Sequence, residues 1–253
     1  TCVPCARTVK KYSHIHKSFK EEETMGFGNM AANAAADAAA RQKEMNDLMR
    51  GKNSEQQAII KFFYGTKGGC MSSGMTVQQY QEKVNARLRT LNTKQMALKK
   101  LGIDEDEVRE IEPVSFEGYV FTDKSDNLVA RASTNTWVSS DYQITWLFFG
   151  EKELFIYQYS FSMTSDSKRE NTMQYFYQDV TNFAAASDTH QKWVSEPKGG
   201  CSGGNEYRQV SADADEFKIV VPGDTLRCSM TPTDSTDAAI RGMRNKLREM
   251  KNR

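Results

Sequence analysis

Apolar residues recur with a helical period along the first 112 residues. The run from Ala31 to Ala40 is rich in alanine, the strongest helix former, and good helix formers continue to Arg50. A second helix is predicted from Ser54 to Tyr64, with Ser54 as its cap. The clearest helix is predicted from Thr76 to Leu101, where apolar side chains share one helical stripe: Val77, Tyr80, Val84, Leu88, Leu91 and Leu98. Together these segments predict a helical layer or hairpin.

After Pro113 the pattern changes to alternation or to continuous apolar runs, which indicates strands. Seven or eight antiparallel strands are predicted, within Ser115–Phe121, Leu128–Ser140, Tyr142–Phe149, Glu153–Met163, Gln174–Phe183, Glu206–Val210, Glu216–Val221 and Thr225–Met230. Polar residues predict a loop at Ser187–His190 and a turn at Ala212–Asp215. A final helix is predicted from Ser235 to Lys251, with its apolar stripe at Ile240, Met243, Leu247 and Met250.

The predicted strands are followed by one amphipathic helix, and this order is typical of a known family. The sequence runs most similar to that family are Gln143–Phe149, Tyr175–Val180 and Phe217–Gly223. From about Ser115 to Lys251 the chain resembles uncharacterised bacterial proteins with a pleckstrin-homology-like barrel. The resemblance implies an antiparallel barrel closed by the carboxy-terminal helix. Phosphoinositide-binding members carry several basic residues in the first hairpin, whereas this chain has only Lys124 and Arg131 there.

The predicted fold class is therefore α+β, with a helical amino-terminal half packed beside a barrel-like carboxy-terminal half. Three regions are expected. Residues 1–25 form a basic tail or a zinc knuckle, residues 26–112 form the helical region, and residues 113–253 form the barrel with its helix.

Charge and composition narrow the class of protein. The 253 residues include 34 basic and 33 acidic side chains, so the net charge of +1 excludes a strongly basic nucleic-acid binder as a description of the whole chain. No run approaches the roughly 18–20 apolar residues of a membrane span, so no transmembrane segment is expected. The five cysteines are few for a chain of this length and odd in number, so we do not expect them to form a disulfide framework. Reduced cysteines favour a cytoplasmic location. Cys70 and Cys201 lie in similar Gly-rich stretches, and two flexible loops are favoured over a disulfide between them.

The amino-terminal segment holds the candidate metal ligands. Cys2 and Cys5 form a C-x-x-C pair whose thiolates can reach one zinc ion, and His14 and His16 supply further ligands. A basic tail without metal and a redox C-x-x-C motif are the alternatives. Zinc is the one cofactor that the sequence suggests.

Other motifs favour structural roles. His190 has no nucleophile elbow near it, and the chain has no phosphate-binding loop. Asp213, Asp215 and Glu216 are interpreted as a solvated hairpin turn. Most aromatic residues of the strand region are expected in the core, although an exposed row of them would indicate a peptide-binding face.

The sequence therefore predicts a non-enzymatic interaction or scaffold protein of unknown process. It is expected to bind a protein partner, with self-association as one form, through the barrel or the helical region. An enzyme whose site is assembled from scattered residues, including a metal-dependent one, is the alternative. Anionic lipid or nucleic acid is a further candidate partner for the two basic ends, from Arg7 to Lys20 and from Arg241 to Arg253.

Overall fold

A computed structural model describes residues 27–65, 74–108, 112–133, 136–197 and 205–251. The chain divides into two compact units, Thr1–Asp47 and Leu48–Arg253. Helix α1, Phe27–Met49, begins in the first unit, and its side chains from Ala36 to Ala40 are exposed. The remaining described elements belong to the second unit.

Four further α-helices and nine strands are described in the second unit. The helices are α2 (Ser54–Phe63), α3 (Val77–Thr90), α4 (Thr93–Leu101) and α5 (Asp234–Lys251), with a short 3₁₀ helix at Glu105–Val108. The strands are β1 (Val114–Val120), β2 (Val129–Ser133), β3 (Thr136–Ser139), β4 (Asp141–Phe149), β5 (Glu153–Ser162), β6 (Lys168–Phe176), β7 (Asn182–Pro197), β8 (Asn205–Val221) and β9 (Asp224–Ser229). The α+β class is therefore confirmed.

Side-chain caps determine where α2 and α3 begin. Asn53, rather than the expected Ser54, caps α2, because its side chain accepts from the backbone N–H of Gln56 while the Gln56 side chain accepts from the N–H of Asn53. Thr76 and Gln79 make the same reciprocal pair at the start of α3. Each capping box satisfies two donors that have no partner within the helix.

The single helix predicted from Thr76 to Leu101 is wrong, because the helix breaks at Leu91 and Asn92. Leu91 has an extended backbone, with φ −96° and ψ 114°. Trp146 of β4 donates through its indole Nε1 to the Thr93 hydroxyl at 3.0 Å, which ties the first turn of α4 to the sheet. The apolar period continues across the break, so periodicity alone does not reveal it.

The described strands form three antiparallel sheets rather than the closed barrel that was expected. One has the order β1-β4-β5-β6, one pairs β2 with β3, and one has the order β7-β8-β9. The β2–β3 hairpin is inserted between β1 and β4, which are paired with each other. Strands β6 and β7, which follow one another in the chain, are not hydrogen-bonded to each other, so the two larger sheets stay separate.

The two central strands of the four-stranded sheet, β4 and β5, are buried on both faces. Helices α2 to α4 cover one face, where Tyr80, Val84 and Leu98 pack with Tyr142 and Phe161. The other face packs against the three-stranded sheet and α5. The core between them includes Phe116, Leu147, Ile156, Phe183, Phe217, Ile219, Ile240, Met243 and Leu247. Burial on both sides explains the nearly continuous apolar runs of β4 and β5.

Strands β7 and β8 form one long hairpin, so the predicted loop at Ser187–His190 and the predicted turn at Ala212–Asp215 are both wrong. Near its base the hairpin buries Phe183, Phe217 and Ile219. Farther along, the opposite face is buried, where Val194, Val210 and Ala212 pack against Val129 and Trp137 of the β2–β3 hairpin. The base of the hairpin therefore packs in the core beside α5, and its distal part packs on the β2–β3 hairpin.

Candidate functional site

A groove lies between α5 and the adjoining ends of β1 and β4. Its volume is about 400 Å³, and its apolar lining consists of Val114, Phe149, Ala239, Gly242 and Met243. Polar side chains of α5, namely Asn245, Lys246 and Glu249, complete the lining. Lys246 and Glu249 form an ion pair with a separation of 3.5 Å. The groove therefore combines an apolar floor with a charged rim, a common composition of binding sites for side chains of other molecules.

The amino-acid pattern of α5 produces this groove. Ile240, Met243 and Leu247 are buried in the core. On the neighbouring stripe of the helix, Ala239 and Gly242 are small while Lys246 is long and polar. Because small residues occupy the positions that face β1 and β4, the helix leaves a space beside the sheet.

Gly242 is the unexpected residue in this helix. Glycine inside a helix is less stable than alanine by about 0.8–1 kcal/mol. A Cβ atom at Gly242 would have no neighbour within 4 Å, so tight packing does not require glycine here. An alanine would fit the helix and would narrow the groove.

A polar cluster, hereafter the loop cluster, surrounds residues 121–128 between β1 and β2. The side chain of Asn127 accepts from the Thr122 N–H and donates to the Val120 carbonyl, the Ser139 hydroxyl and Asp141 Oδ2. These bonds measure 2.8 to 3.0 Å, and Asn127 is buried. Asn127 therefore holds the loop closed.

Lys192 of β7 is buried in the loop cluster. Its ammonium group donates to the Thr122 carbonyl and, at 3.3 Å, to the Asn127 carbonyl. Burial lowers the pKa of Lys192, and the negative charges of Asp123, Asp141 and Asp126 act in the opposite direction. Burial raises the pKa of Asp141, partly offset by hydrogen bonds from Asn127 and Ser162. Since Lys192 bonds to backbone carbonyls, its geometry is that of a structural lysine.

His190 also faces the loop cluster, from strand β7 rather than from the predicted loop. Its imidazole stacks on Phe121 with a ring-centroid separation of 6.3 Å, and its Nδ1 lies 3.9 Å from Asp123 Oδ1. Its Nε2 is buried without a hydrogen-bond partner. No serine or cysteine nucleophile is described next to this nitrogen, and the geometry gives His190 a packing role.

The acidic residues 213, 215 and 216 lie on β8, where each has a partner. Asp213 accepts from Thr189 and Asp215 accepts from Ser187 across the hairpin, while Glu216 pairs with Arg227 and Lys218. The contacts of Asp213 and Asp215 are cross-strand pairs on one face of the hairpin, whereas Glu216 lies on the opposite face with Arg227 of β9 and Lys218 of its own strand. Within the described ranges, no three His, Cys, Asp or Glu side chains are grouped so that they could hold a metal ion.

The sequence-predicted metal ligands Cys2, Cys5, His14 and His16 lie outside the described residues, as do Cys70 and Cys201. Cys228 is buried with a free thiol, whose pKa burial raises to about 12. None of the helices in the described ranges is long and apolar enough to cross a membrane. Zinc binding by the amino-terminal segment stays a prediction.

The aromatic residues of the strands do not form an exposed row. Most of those singled out in the sequence are buried, namely Trp137, Tyr142, Phe148, Tyr157, Tyr159, Phe161 and Tyr177. Trp146 and Tyr175 are partly buried against the two large cores. These nine aromatic residues therefore pack in the protein interior and do not form a peptide-binding face.

Comparison with known proteins gives no relative: no protein family matches the chain, and neither a curated protein nor a solved structure matches it. The functional interpretation therefore rests on the geometry of the site.

Sequence reasoning missed the groove, although one signal for it is present. Gly242 lies inside α5 beside the buried stripe of Ile240 and Met243, at a position where a glycine lowers helix stability. Val114 and Phe149 carry no such signal, because strand residues of this type are ordinarily core residues.

Proposed function

We propose that this protein is a non-enzymatic interaction module that binds a protein partner through the groove beside α5. An apolar side chain of the partner enters between Gly242, Val114 and Phe149, and its flanking polar groups contact Lys246 and Glu249. The observation that carries the proposal is the pairing of an open apolar floor with a helix glycine that no internal contact requires. Insertion of an apolar anchor into a pocket is the usual source of affinity in such interfaces.

The proposal includes a pleckstrin-homology-like fold for the carboxy-terminal part. Its support is the order of elements: a four-stranded antiparallel sheet is followed by a three-stranded one, β7-β8-β9, and then by α5. The β2–β3 hairpin is an insertion within that order. A reducing location such as the cytoplasm is also part of the proposal, because Cys228 carries a free thiol.

The buried polar side chains between the sheets favour binding over catalysis, because they join the sheets to one another. Between the sheets, Gln143 accepts from the Ser229 N–H at 2.8 Å and Gln158 donates to the Arg227 carbonyl at 2.9 Å, so these buried amides join two sheets. The ionisable groups Asp141 and Lys192 bond to the loop cluster. They line neither the groove nor a second surface cavity, a polar hollow of about 470 Å³ at the end of α4.

An anionic partner is the alternative to a protein partner, and the basic residues of α5 give it weaker support than the groove gives the main proposal. Arg244 donates through Nε to the Phe183 carbonyl at 2.9 Å, and Lys246 pairs with Glu249. Arg241 and Arg248 are exposed. Binding to vesicles of anionic lipid or to nucleic acid that weakens steeply with salt would support that alternative.

Selection of peptides on the purified chain tests the proposal. A library of random peptides displayed on phage is selected against the wild-type protein, and the affinity of a selected peptide is measured by calorimetry. The selected peptides should share a large apolar residue, and they should bind Gly242→Leu at least tenfold more weakly than the wild type.

Arg248→Leu is the control, because Arg248 is exposed on the same helix, does not line the groove and points away from Gly242 and Lys246 around the helix axis. It should leave the affinity unchanged. Peptides that bind Gly242→Leu as well as they bind the wild type would overturn the proposal, as would a selection that yields no binding peptide.

A further inference from the structure

The outer edge of β6 is an open sheet edge, unlike the other edges near it. The outer side of β1 receives a hydrogen bond from the Thr231 N–H to the Glu117 carbonyl, at 2.8 Å. The outer side of β7 is covered at Phe183 by Arg244. Strand β6 pairs with β5 alone, and in the described part of the chain no backbone group from another element bonds to the middle of its outer side.

Two terminal hydrogen bonds show which residues of β6 point outward. The Ser162 N–H bonds to the Ser167 carbonyl at 3.0 Å, and the Tyr177 N–H bonds to the Lys152 carbonyl at 3.1 Å. In an antiparallel ladder, residues alternate between those whose N–H and C=O face the partner strand and those whose groups face away. Odd-numbered residues of β6 therefore bond to β5, and even-numbered ones direct N–H and C=O groups outward: Lys168, Glu170, Thr172, Gln174 and Phe176.

We propose that β6 is a self-association surface, on which the β6 strand of a second copy pairs in antiparallel orientation with Thr172 on the two-fold axis. This register uses the full strand and places Lys168 opposite Phe176, Arg169 opposite Tyr175 and Glu170 opposite Gln174. The four-stranded sheets of the two copies become one continuous sheet, an isologous arrangement.

The side chains of β6 are self-complementary in this register. Phe176 is 48 % exposed, which is unusual for a large apolar side chain, and the stem and ammonium group of Lys168 from the second copy would cover it. Arg169 meets the partly buried ring of Tyr175 in the same way. Glu170, which already pairs with Lys100 of its own chain at 2.8 Å, faces the neutral Gln174. No like charges lie opposite one another.

Other arrangements of the same strand fit less well. Centring the axis on Glu170 places two glutamates in direct opposition, and parallel pairing places Lys168 and Arg169 beside their own copies. Like charges directly opposite one another destabilise a sheet. Charged residues can also protect an open edge against pairing, but here the basic pair and the aromatic pair lie at opposite ends, so antiparallel pairing joins them.

Sedimentation velocity of the full chain over a range of concentrations measures the affinity of the dimer. Charge variants at the exposed position 174 test the proposed register. Residue 174 of each copy would face Glu170 of the other. Gln174 donates to Glu153 of its own chain, so both variants are made in a Glu153→Gln background. There Gln174→Lys should tighten the dimer and Gln174→Glu should weaken it, each by about fivefold or more for two charge pairs. Wild-type protein that stays monomeric at all concentrations, or a dimer that responds equally to both variants, would overturn the proposal.

Proline variants provide a second test that separates pairing from folding. Thr172→Pro removes an N–H that faces away from β5, so the monomer should keep its melting temperature within a few degrees while the dimer is lost. Met173→Pro removes an N–H that bonds to β5 and should lower the melting temperature instead. Gly242→Leu should not change dimerisation, which distinguishes this surface from the groove. A dimer that survives Thr172→Pro or is lost in Gly242→Leu would contradict the inference.

Discussion

Gly118 of β1 lies directly against the backbone of Met230, which follows β9. A Cβ atom at Gly118 would be 2.8 Å from the Met230 nitrogen and 3.0 Å from its carbonyl carbon. The neighbouring Thr231 N–H bonds to the Glu117 carbonyl at 2.8 Å. The four-stranded sheet thus meets the chain leaving the three-stranded sheet without a side chain between them.

Gly118→Ala should therefore destabilise the protein by about 1–3 kcal/mol, the range for inserting a methyl group into closely packed structure. Urea unfolding followed by circular dichroism measures the change. Gly242→Ala is the matched glycine-to-alanine control in open space. A loss below about 0.5 kcal/mol at Gly118 would show that the two backbones separate easily.

The helical layer predicts unequal costs for two leucines. Leu98 is buried against the four-stranded sheet, so Leu98→Ala should cost about 2–5 kcal/mol. Leu88 is only partly buried, so its side chain removes less apolar area from water than that of Leu98. Leu88→Ala should therefore cost about 1 kcal/mol. Chemical denaturation of both variants measures the difference. Equal costs would mean that α4 does not cover the sheet as described.

Asp141 makes stability depend on acidic pH. Burial raises its pKa in the folded state above the unfolded value of about 3.9, so the folded protein binds the proton more tightly. The stability from this group is fully present below the unfolded pKa and is lost as the pH rises through the folded pKa.

Asp141→Asn removes this dependence. The free energy of unfolding of the variant should rise relative to the wild type as the pH increases from about 3.9 through the folded pKa of Asp141, and the difference should level off above it. Unfolding curves measured across this pH range test the sign. Asp126→Asn, at an exposed position of the same loop, is the control, and a difference that shrinks with rising pH would contradict the account.

Zinc binding at the amino terminus can be tested directly. Protein purified without chelator should contain about one zinc per chain, since a structural site takes four ligands that Cys2, Cys5, His14 and His16 can supply. Cys2→Ser should abolish the metal content measured by elemental analysis, whereas Cys228→Ser should not change it. Wild-type protein without zinc would end the prediction.

Local patterns in the sequence were sufficient for several elements. The sequence predicts helix α5 from Ser235 to Lys251, and it is observed from Asp234 to Lys251, because its apolar stripe is a local signal. The sequence predicts strand β5 from Glu153 to Met163, and it is observed from Glu153 to Ser162. A run of apolar residues between two polar turns is the local signal for it. Such signals do not depend on where the element packs.

The long hairpin was missed because its polar residues look like turn residues. Asp213 and Asp215 alternate with the buried Ala212 and Ala214, a period of two that small side chains make easy to overlook. Their carboxylates are paired with hydroxyl groups from β7, which only the register reveals. The groove was missed for a related reason, because Val114 and Gly242 come together only when α5 packs on the sheet.

The most direct test of the groove is the substitution Gly242→Ala with two readouts on the same protein. The free energy of unfolding should increase by about 0.5–1 kcal/mol, because alanine favours the helix and its Cβ meets nothing within 4 Å. The affinity for a peptide selected on the wild type should fall, because the same methyl group narrows the groove. A gain in stability with unchanged affinity would contradict the proposed binding site.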